Sequence, residues 1–497
     1  MAVALPLNRL VPATRALSRV QALNLDPILI LAMALVALVH MPSADAYFHG
    51  DDFVAMTDLV SKPPLEHLWS VYTFTDSNFY WRPLGQTYDV IVYQLFGLSP
   101  VAFHIGSIIF FEGTLVLLYW LCRRWGLPRA VAVGSVLILG LFPNHVVSVA
   151  WITNTSRLMA LFFILASLLM IEKAARERSF SADLAAWLLF VAAGMSDETA
   201  LGFAPLPILF SLIARQPRER WPAFGARVAA YAGIAAALIP LQFMYTSDDE
   251  PRLADYTLGS HVFGQAWALT SQLALPITNG APMSQSFASM DALQWVAGAL
   301  AIAAGAVLLL IGSWRMRFLV VWAGLGIAPF TLWDVPYTAP RYVYFAAAPF
   351  AIAVSWLAYG AWQQVAPRLR FQSLQAVPVA TIAVALAVVG GFASMERNET
   401  WERTTEPYRQ LATSLKQAVP EVESGSRIII YYGVWDGFTL WPDAVVQTIY
   451  KDPSLDAVNI PRQFSEDDGP RRRANDIVVY YTDGRFITVP YSAASAR

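Results

Sequence analysis

The sequence predicts an α-helical polytopic membrane protein carrying a small C-terminal α/β extracytoplasmic domain, and three observations support this. Hydrophobic residues make up 56% of the 497-residue chain and charged ones 14%, with a mean hydropathy of +0.46, well beyond an ordinary soluble globule. Apolar runs recur from residue 27 to residue 393, many of them long enough to read as membrane spans. Beyond residue 396 the composition turns charged and turn-rich, with short strand-like runs.

The first run follows Arg9, Arg15 and Arg19. That pattern is shared with signal peptides, but many further runs follow and no clear small-residue cleavage site is present, so it reads as an uncleaved first helix. The apolar runs cover residues 27–41, 101–121, 130–142, 158–171, 184–195, 201–213, 228–245, 292–312, 318–333, 343–362 and 377–393. About eleven transmembrane helices are therefore expected, the shorter ones needing local thinning of the bilayer or burial in the bundle. Seventeen Trp and twenty Tyr suit the aromatic belts at the two interfaces.

Arginines and lysines set the topology. The loops holding Arg123, Arg124 and Arg129, then Lys173, Arg176 and Arg178, then Arg215, Arg218, Arg220 and Arg227, then Arg315 with Arg317 and Arg368 with Arg370 are the basic ones. A cytoplasmic N-terminus puts all of them inside the cell. Residues 1–396 then form the membrane module, with a first outer loop at 43–100, and residues 397–497 form an outer α/β domain with strands near 427–432, 477–481 and 486–489 and a helix near 407–419. Within the outer loop, residues 53–74 alternate apolar and charged positions as short interfacial helices do, and residues 261–275 suggest an interfacial or re-entrant helix.

Other classes are excluded by the charge balance and the cysteine count. Thirty-four basic against thirty-six acidic residues leaves no basic stripe for nucleic acid. Cys122 is the only cysteine, so neither an intrachain disulfide nor a thiolate metal site is available.

The polar residues of the outer face are the candidates for chemistry. Gly50-Asp51-Asp52, with His49 ahead of it, lies just past the first run. Carboxylates are costly near hydrocarbon, so a paired acid there is either plainly solvated or able to take a proton from a nucleophile or hold a divalent cation. Tyr80-Trp81-Arg82-Pro83-Leu84 sets an arginine among aromatic residues, suited either to a phosphate or to anchoring at the headgroups. Pro143-Asn144-His145 breaks an apolar run, which a membrane protein tolerates where the freed backbone lines a cavity. Ser196-Asp197-Glu198-Thr199 joins two short runs, where Asp197 either caps the next helix or serves the site. Arg341-Tyr342 opens a run at the outer face, against the positive-inside bias.

In their order, these elements resemble the C-type glycosyltransferase (GT-C) superfamily of polytopic enzymes, and within it bacterial relatives of the O-mannosyltransferases that carry tetratricopeptide repeats. The resemblance covers residues 47–357. It rests on Asp51-Asp52, Phe79-Tyr80-Trp81-Arg82-Pro83-Leu84, Phe96-Gly97-Leu98-Ser99-Pro100 with His104, Pro143-Asn144-His145, Ser148 to Ile152, Arg157-Leu158, Ser196-Asp197-Glu198 and Arg341-Tyr342. This sequence departs from the family in lacking an acid near Ser148, a glycine before Arg157, a lysine at Asp197, and the helical repeats.

The resemblance implies a GT-C-like membrane fold that moves a single sugar, hexosyl or pentosyl, from a polyprenyl-phosphate donor to an acceptor hydroxyl, with inversion, on the extracytoplasmic face. Implied partners are that donor, membrane lipids and a glycan, lipid or protein acceptor, with no nucleic acid. Asp51 is then the general base, with Asp52 as orienting partner or metal ligand. Arg82, His145, Arg157 and Arg341 would bind the donor phosphate, and His49, Tyr80, Asp197, Glu198 and Tyr342 would orient substrates. The pair Asp51 and Asp52 leaves Mg or Mn dependence open. Two alternatives use the same residues: a transporter or flippase for lipid-linked glycans, and an oligosaccharide ligase or polymerase.

Overall fold

The computed structural model describes residues 26–75, 81–214, 221–244, 256–275, 285–286, 290–335, 337–365, 377–432, 441–461, 473, 475–482 and 485–488. Helix α1 (Pro27–His40) starts where Asp26 accepts a 2.9 Å hydrogen bond from the Ile28 amide and Pro27 supplies a preset φ. Then come α2 (Asp51–Ser61), α3 (Pro64–Thr73), α4 (Pro83–Phe96), α5 (Pro100–Arg124), α6 (Arg129–Gly140), α7 (Val146–Ala150), α8 (Thr155–Glu177) and α9 (Phe180–Ser196). They are followed by α10 (Pro205–Ala214), α11 (Trp221–Met244), α12 (His261–Ala274), α13 (Ala292–Ile311), α14 (Trp314–Thr331), α15 (Tyr344–Val365) and α16 (Val377–Ala418).

Every one of the eleven apolar runs falls on helix. Among the described residues, six helical stretches are long and apolar enough to cross a bilayer, and a seventh arises if α6 and Pro143–Ala150, bent by 50°, count as one span. The protein is thus an integral multi-pass membrane protein, but the count of eleven is not reached by length and composition. Phe180–Ser196 and Glu198–Ile213 are shorter apolar helices, buried within the bundle on one side.

Leu29, Val36, Phe111, Leu115, Leu161, Ile164 and Phe345 belong to one continuous apolar core of the bundle. Small residues let helices approach closely there. A Cβ built on Gly326 of α14 would lie 2.7 Å from the Ala346 amide nitrogen of α15, so only glycine allows that contact.

At the C-terminus, β3 (Arg427–Tyr432) pairs in parallel with both β4 (Asp456–Pro461) and β5 (Asp476–Thr482), and β6 (Arg485–Thr488) runs antiparallel to β5, giving the order β4-β3-β5-β6. Helix α17 (Pro442–Tyr450) is the crossover between β3 and β4, as a parallel pair requires. A separate two-stranded ribbon joins β1 (Gln285–Ser286) to β2 (Tyr337–Thr338). The buried fork of Arg427 holds Asp476 of the neighbouring strand at 3.0 and 2.6 Å.

Two expectations need correction here. The break expected between a span ending near 393 and a helix starting near 407 is absent, because α16 runs unbroken for 42 residues, roughly 60 Å, and carries Pro407 inside it. And α2 does not lie free at an interface. Phe53, Met56 and Leu59 on it share one core with Tyr408, Leu411 and Leu415 of α16 and Val445, Val446 and Ile449 of α17. Only α3 keeps an apolar stripe outward, with Leu65, Trp69 and Tyr72 exposed at helical spacing.

Candidate active site

A cavity of about 850 Å³ opens among the helix ends and the turns that join them. Its walls come from α2, α4, the turn Ile152–Asn154, the start of α8, the turn Glu198–Phe203, the end of α14, the turn Pro340–Val343 and the cap of α17.

Asp51 is on the cavity wall, in the first turn of α2. Gly50 before it takes φ 50 and ψ −112, a conformation closed to side-chain-bearing residues, and this turns the chain sharply so that Asp51 faces the cavity. Its surroundings raise the Asp51 pKa chiefly through loss of hydration, against the pull of Arg341, a hydrogen bond from the Trp441 side chain, and Arg82.

Asp52 points the other way. It is 1% exposed, and its two oxygens accept 3.0 Å hydrogen bonds from the amides of His49 and Thr153. Burial pushes its carboxyl up to about 8, with those amides pulling it down. Asp52 therefore pins the loop to the turn before α8 and is not among the residues that line the cavity. Among the described residues no group of three or more His, Cys, Asp or Glu side chains is placed to hold a metal ion.

The same cavity holds a knot of charges. Arg82 grips Glu198 through Nε and Nη2, both at 2.7 Å, and its Nη2 also lies 3.4 Å from Asp197. Asp197 is wholly buried, accepts a 2.9 Å hydrogen bond from the Thr199 amide, and has Arg157 Nε at 3.6 Å. Asp197 thus both caps its turn and sits between two guanidiniums. Arg157 is 6% exposed, and its Nε and Nη1 have no hydrogen-bond partner although the side chain lines the cavity. Buried N–H groups left without a hydrogen bond are costly, and the Asp197 carboxylate, 3.6 Å from Nε, offsets part of that cost as an ion pair.

Beneath these cations is an aromatic floor. Tyr342 stacks on Phe330 with centroids 4.5 Å apart, and Arg157 lies 5.4 Å from the Phe330 centroid. Arg341 sits 4.7 Å over Trp151 and 4.9 Å over Tyr342 and donates to the Tyr342 hydroxyl at 3.3 Å.

The cavity therefore brings together Asp51, Arg82, Arg157, Arg341, Glu198 and Tyr342, with Asp197 directly behind them. It does not include His145 or His49. The His145 ring is fully buried against Phe111, Phe142 and Tyr344 and shares a 2.9 Å hydrogen bond with the Leu139 carbonyl, away from the cavity lining. His49 is packed among Trp151, Trp401 and Tyr408, where burial lowers its pKa to about 4. Tyr80 lies outside the described residues.

Sequence reasoning missed Asp58, His67, Asp89 and Trp441, which also line the cavity. Two of them carried a signal: Asp58 follows Asp51, and Asp89 follows Arg82, by seven residues, two helical turns. Burial, and then the neighbouring Asp52, raises the Asp89 carboxyl well above its ordinary value. Trp441 had no local signal, because it arrives from the far end of the chain.

By sequence, the chain matches no protein-family model and no curated protein. By structure, it shares its fold with solved membrane proteins. The solved structure of ArnT from Cupriavidus metallidurans bound to undecaprenyl phosphate is similar over 92% of this chain and 97% of that one, at 12% identity and a TM-score of 0.50. The apo form of ArnT matches over 86% and 85%, at 14% identity and a TM-score of 0.48. AglB, an archaeal oligosaccharyltransferase from Archaeoglobus fulgidus in complex with an inhibitory peptide and a dolichol-phosphate, matches over 86% of this chain and 64% of its own, at 12% identity and a TM-score of 0.48.

Proposed function

We propose that this protein transfers a single sugar from a polyprenyl-phosphate donor to an acceptor hydroxyl at the extracytoplasmic surface of the membrane. The observation that carries the reading is that Asp51, Arg157 and Arg341 line one cavity. The fold shared with ArnT supports it.

In this reading Asp51 takes the proton of the acceptor hydroxyl as its oxygen attacks the anomeric carbon from the face opposite the phosphate, which inverts the configuration. The bond to the phosphate oxygen breaks, and the negative charge that accumulates there meets the unmade N–H groups of Arg157, supported by Arg341. Arg82 has a different task, because Glu198 already occupies its fork. It holds the turn that carries Asp197, which in turn orients Arg157. The aromatic floor of Phe330 and Tyr342 excludes water and stiffens the cations against the developing charge. Fixing both reactants in line removes much of the entropic barrier.

A flippase would use the same cations for a lipid-linked phosphate but has no use for a carboxylate opposite them, and an oligosaccharide ligase would draw on the same fold as AglB. The deciding experiment incubates the purified protein in lipid vesicles with a panel of polyprenyl-phosphate sugars and an acceptor-containing membrane fraction and measures released polyprenyl phosphate. Release from one donor, lost in Asp51→Asn, is expected. Movement of intact donor across the bilayer with no release would refute the reading.

A further inference from the structure

Helix α11 brings a polar side chain to the cavity. Gln242, at the end of an apolar stretch long enough to cross a bilayer, lines the cavity and is 8% exposed. Its Nε2 donates a 2.9 Å hydrogen bond to the carbonyl of Trp81, the residue just before Arg82. A carbonyl oxygen only accepts, so the amide keeps its NH₂ on that side and Oε1 on the other. That oxygen is buried and makes no hydrogen bond among the described residues. Gln86 repeats the pattern. It lies one turn into α4 from Arg82, lines the cavity, and its Oε1 is likewise buried without a hydrogen bond. Two amide oxygens that accept and never donate therefore flank Arg82, whose own fork is filled by Glu198. Leaving such acceptors unmade costs free energy, which a ligand bringing O–H donors recovers.

We propose that Gln242 is a specificity-determining residue that accepts a hydrogen bond from a hydroxyl of the donor sugar, with Gln86 as a second acceptor. This rests on the polyprenyl-phosphate transfer reading and names the part of the donor that the cavity reads. The phosphate calls for N–H donors, which Arg157 and Arg341 supply, whereas the ring bonded to it presents O–H groups and calls for acceptors close by. The chain links the two in that order. Asp197 lies 3.6 Å from Arg157 and 3.4 Å from Arg82, and Gln242 is bonded to the residue before Arg82. Ile239, one turn earlier on the same face of α11, also lines the cavity and gives the ring an apolar surface beside the amide.

The test uses the full-length protein in lipid vesicles with the polyprenyl-phosphate sugar that gives the most release, and with its analogues that each lack one ring hydroxyl. A site that leaves a buried acceptor unmade rejects such an analogue, so one deoxy donor is expected to lose kcat/KM by about a hundredfold or more. Gln242→Leu removes the acceptor, and the preference for the parent donor over that analogue should shrink below about tenfold. The substitution also frees the Trp81 carbonyl and lowers Tm, so the preference ratio is the readout, because a purely structural loss slows both donors equally. Gln86→Leu leaves the Trp81 bond intact and should narrow the preference against a deoxy analogue as well. An unsubstituted protein indifferent to every single hydroxyl, a ratio unchanged in both variants, or a raised requirement for the acceptor fraction with the donor preference intact overturns the proposal. If the unsubstituted protein releases no polyprenyl phosphate from any donor, the glycosyl-transfer reading fails. Binding then still decides the role of Gln242: a polyprenyl-phosphate sugar should raise Tm more than polyprenyl phosphate alone does, and Gln242→Leu should abolish that difference.

Discussion

Arg82 and Glu198, 116 residues apart in sequence, meet through two hydrogen bonds of 2.7 Å that lock the start of α4 to the turn after α9. A paired fork of this kind is a fastening, whereas the nearby Arg157 meets Asp197 only as an ion pair at 3.6 Å and leaves Nε and Nη1 without a hydrogen bond. The two arginines should therefore separate in experiment. Arg82→Ala strands Glu198 and Asp197 and is expected to lower stability by about 2–3 kcal/mol, seen as a reduced Tm in vesicles. Arg157→Lys, which removes the planar fork and keeps the charge, should leave Tm unchanged and raise the KM for a polyprenyl-phosphate donor roughly tenfold or more.

The two neighbouring acids should separate as well. Asp51→Asn is expected to cut turnover by at least about a hundredfold with Tm unchanged. Activity of the unsubstituted protein should rise with pH through a value above the usual carboxylate range, because loss of hydration raises the Asp51 pKa and only the ionised form accepts a proton. Asp52→Asn turns an amide NH₂ toward one of two backbone N–H donors. It should cost about 1–3 kcal/mol of stability and leave transfer measurable in the folded fraction.

His49 makes stability depend on acid. Burial lowers its pKa from 6.5 to about 4, so between those values the unfolded chain binds a proton that the folded one refuses. Stability due to this group is present above pH 6.5 and lost as pH falls toward 4, by roughly 2–3 kcal/mol. Asp52, whose folded pKa is raised, acts with the opposite sign between about 4 and 8. The quantity to measure is therefore the difference in Tm between the unsubstituted protein and His49→Phe from pH 7 to pH 4. That difference should shift in favour of His49→Phe as acid is added, and a constant difference would contradict the assignment.

Gly326→Ala tests how tightly the aromatic floor is held. The added Cβ would meet the backbone of Phe345 and Ala346 at 3.0 Å or less, which backbone cannot easily yield. Separation of α14 from α15 should cost about 1–3 kcal/mol and disturb the Phe330–Tyr342 stack. A lowered Tm together with a raised donor KM is expected.

The membrane-embedded half of the architecture could be read from residue order because its signal is local. A run of apolar side chains must become helix in hydrocarbon, whatever its neighbours do, since unsatisfied backbone groups have no water to turn to. All eleven runs are accordingly helical. The strands at 427–432 and 477–481 were equally legible from their β-branched and aromatic runs, whereas Asp456–Pro461, with Asp, Asn and Pro in six residues, was not. The continuity of α16 through Pro407 was hidden for the related reason that a proline usually signals a break.

The sequence by itself determined that this is a helical membrane protein and which polar residues sit at helix ends. Only the tertiary structure decided which of them share a site. Arg82 turned to Glu198, Asp52 to two backbone amides, and His145 to an apolar cage, while Asp89 and Trp441 joined Asp51 at the cavity. The reason is physical: periodicity fixes the face on which a side chain leaves its own helix. What that face meets is set by the packing of elements that can lie hundreds of residues away.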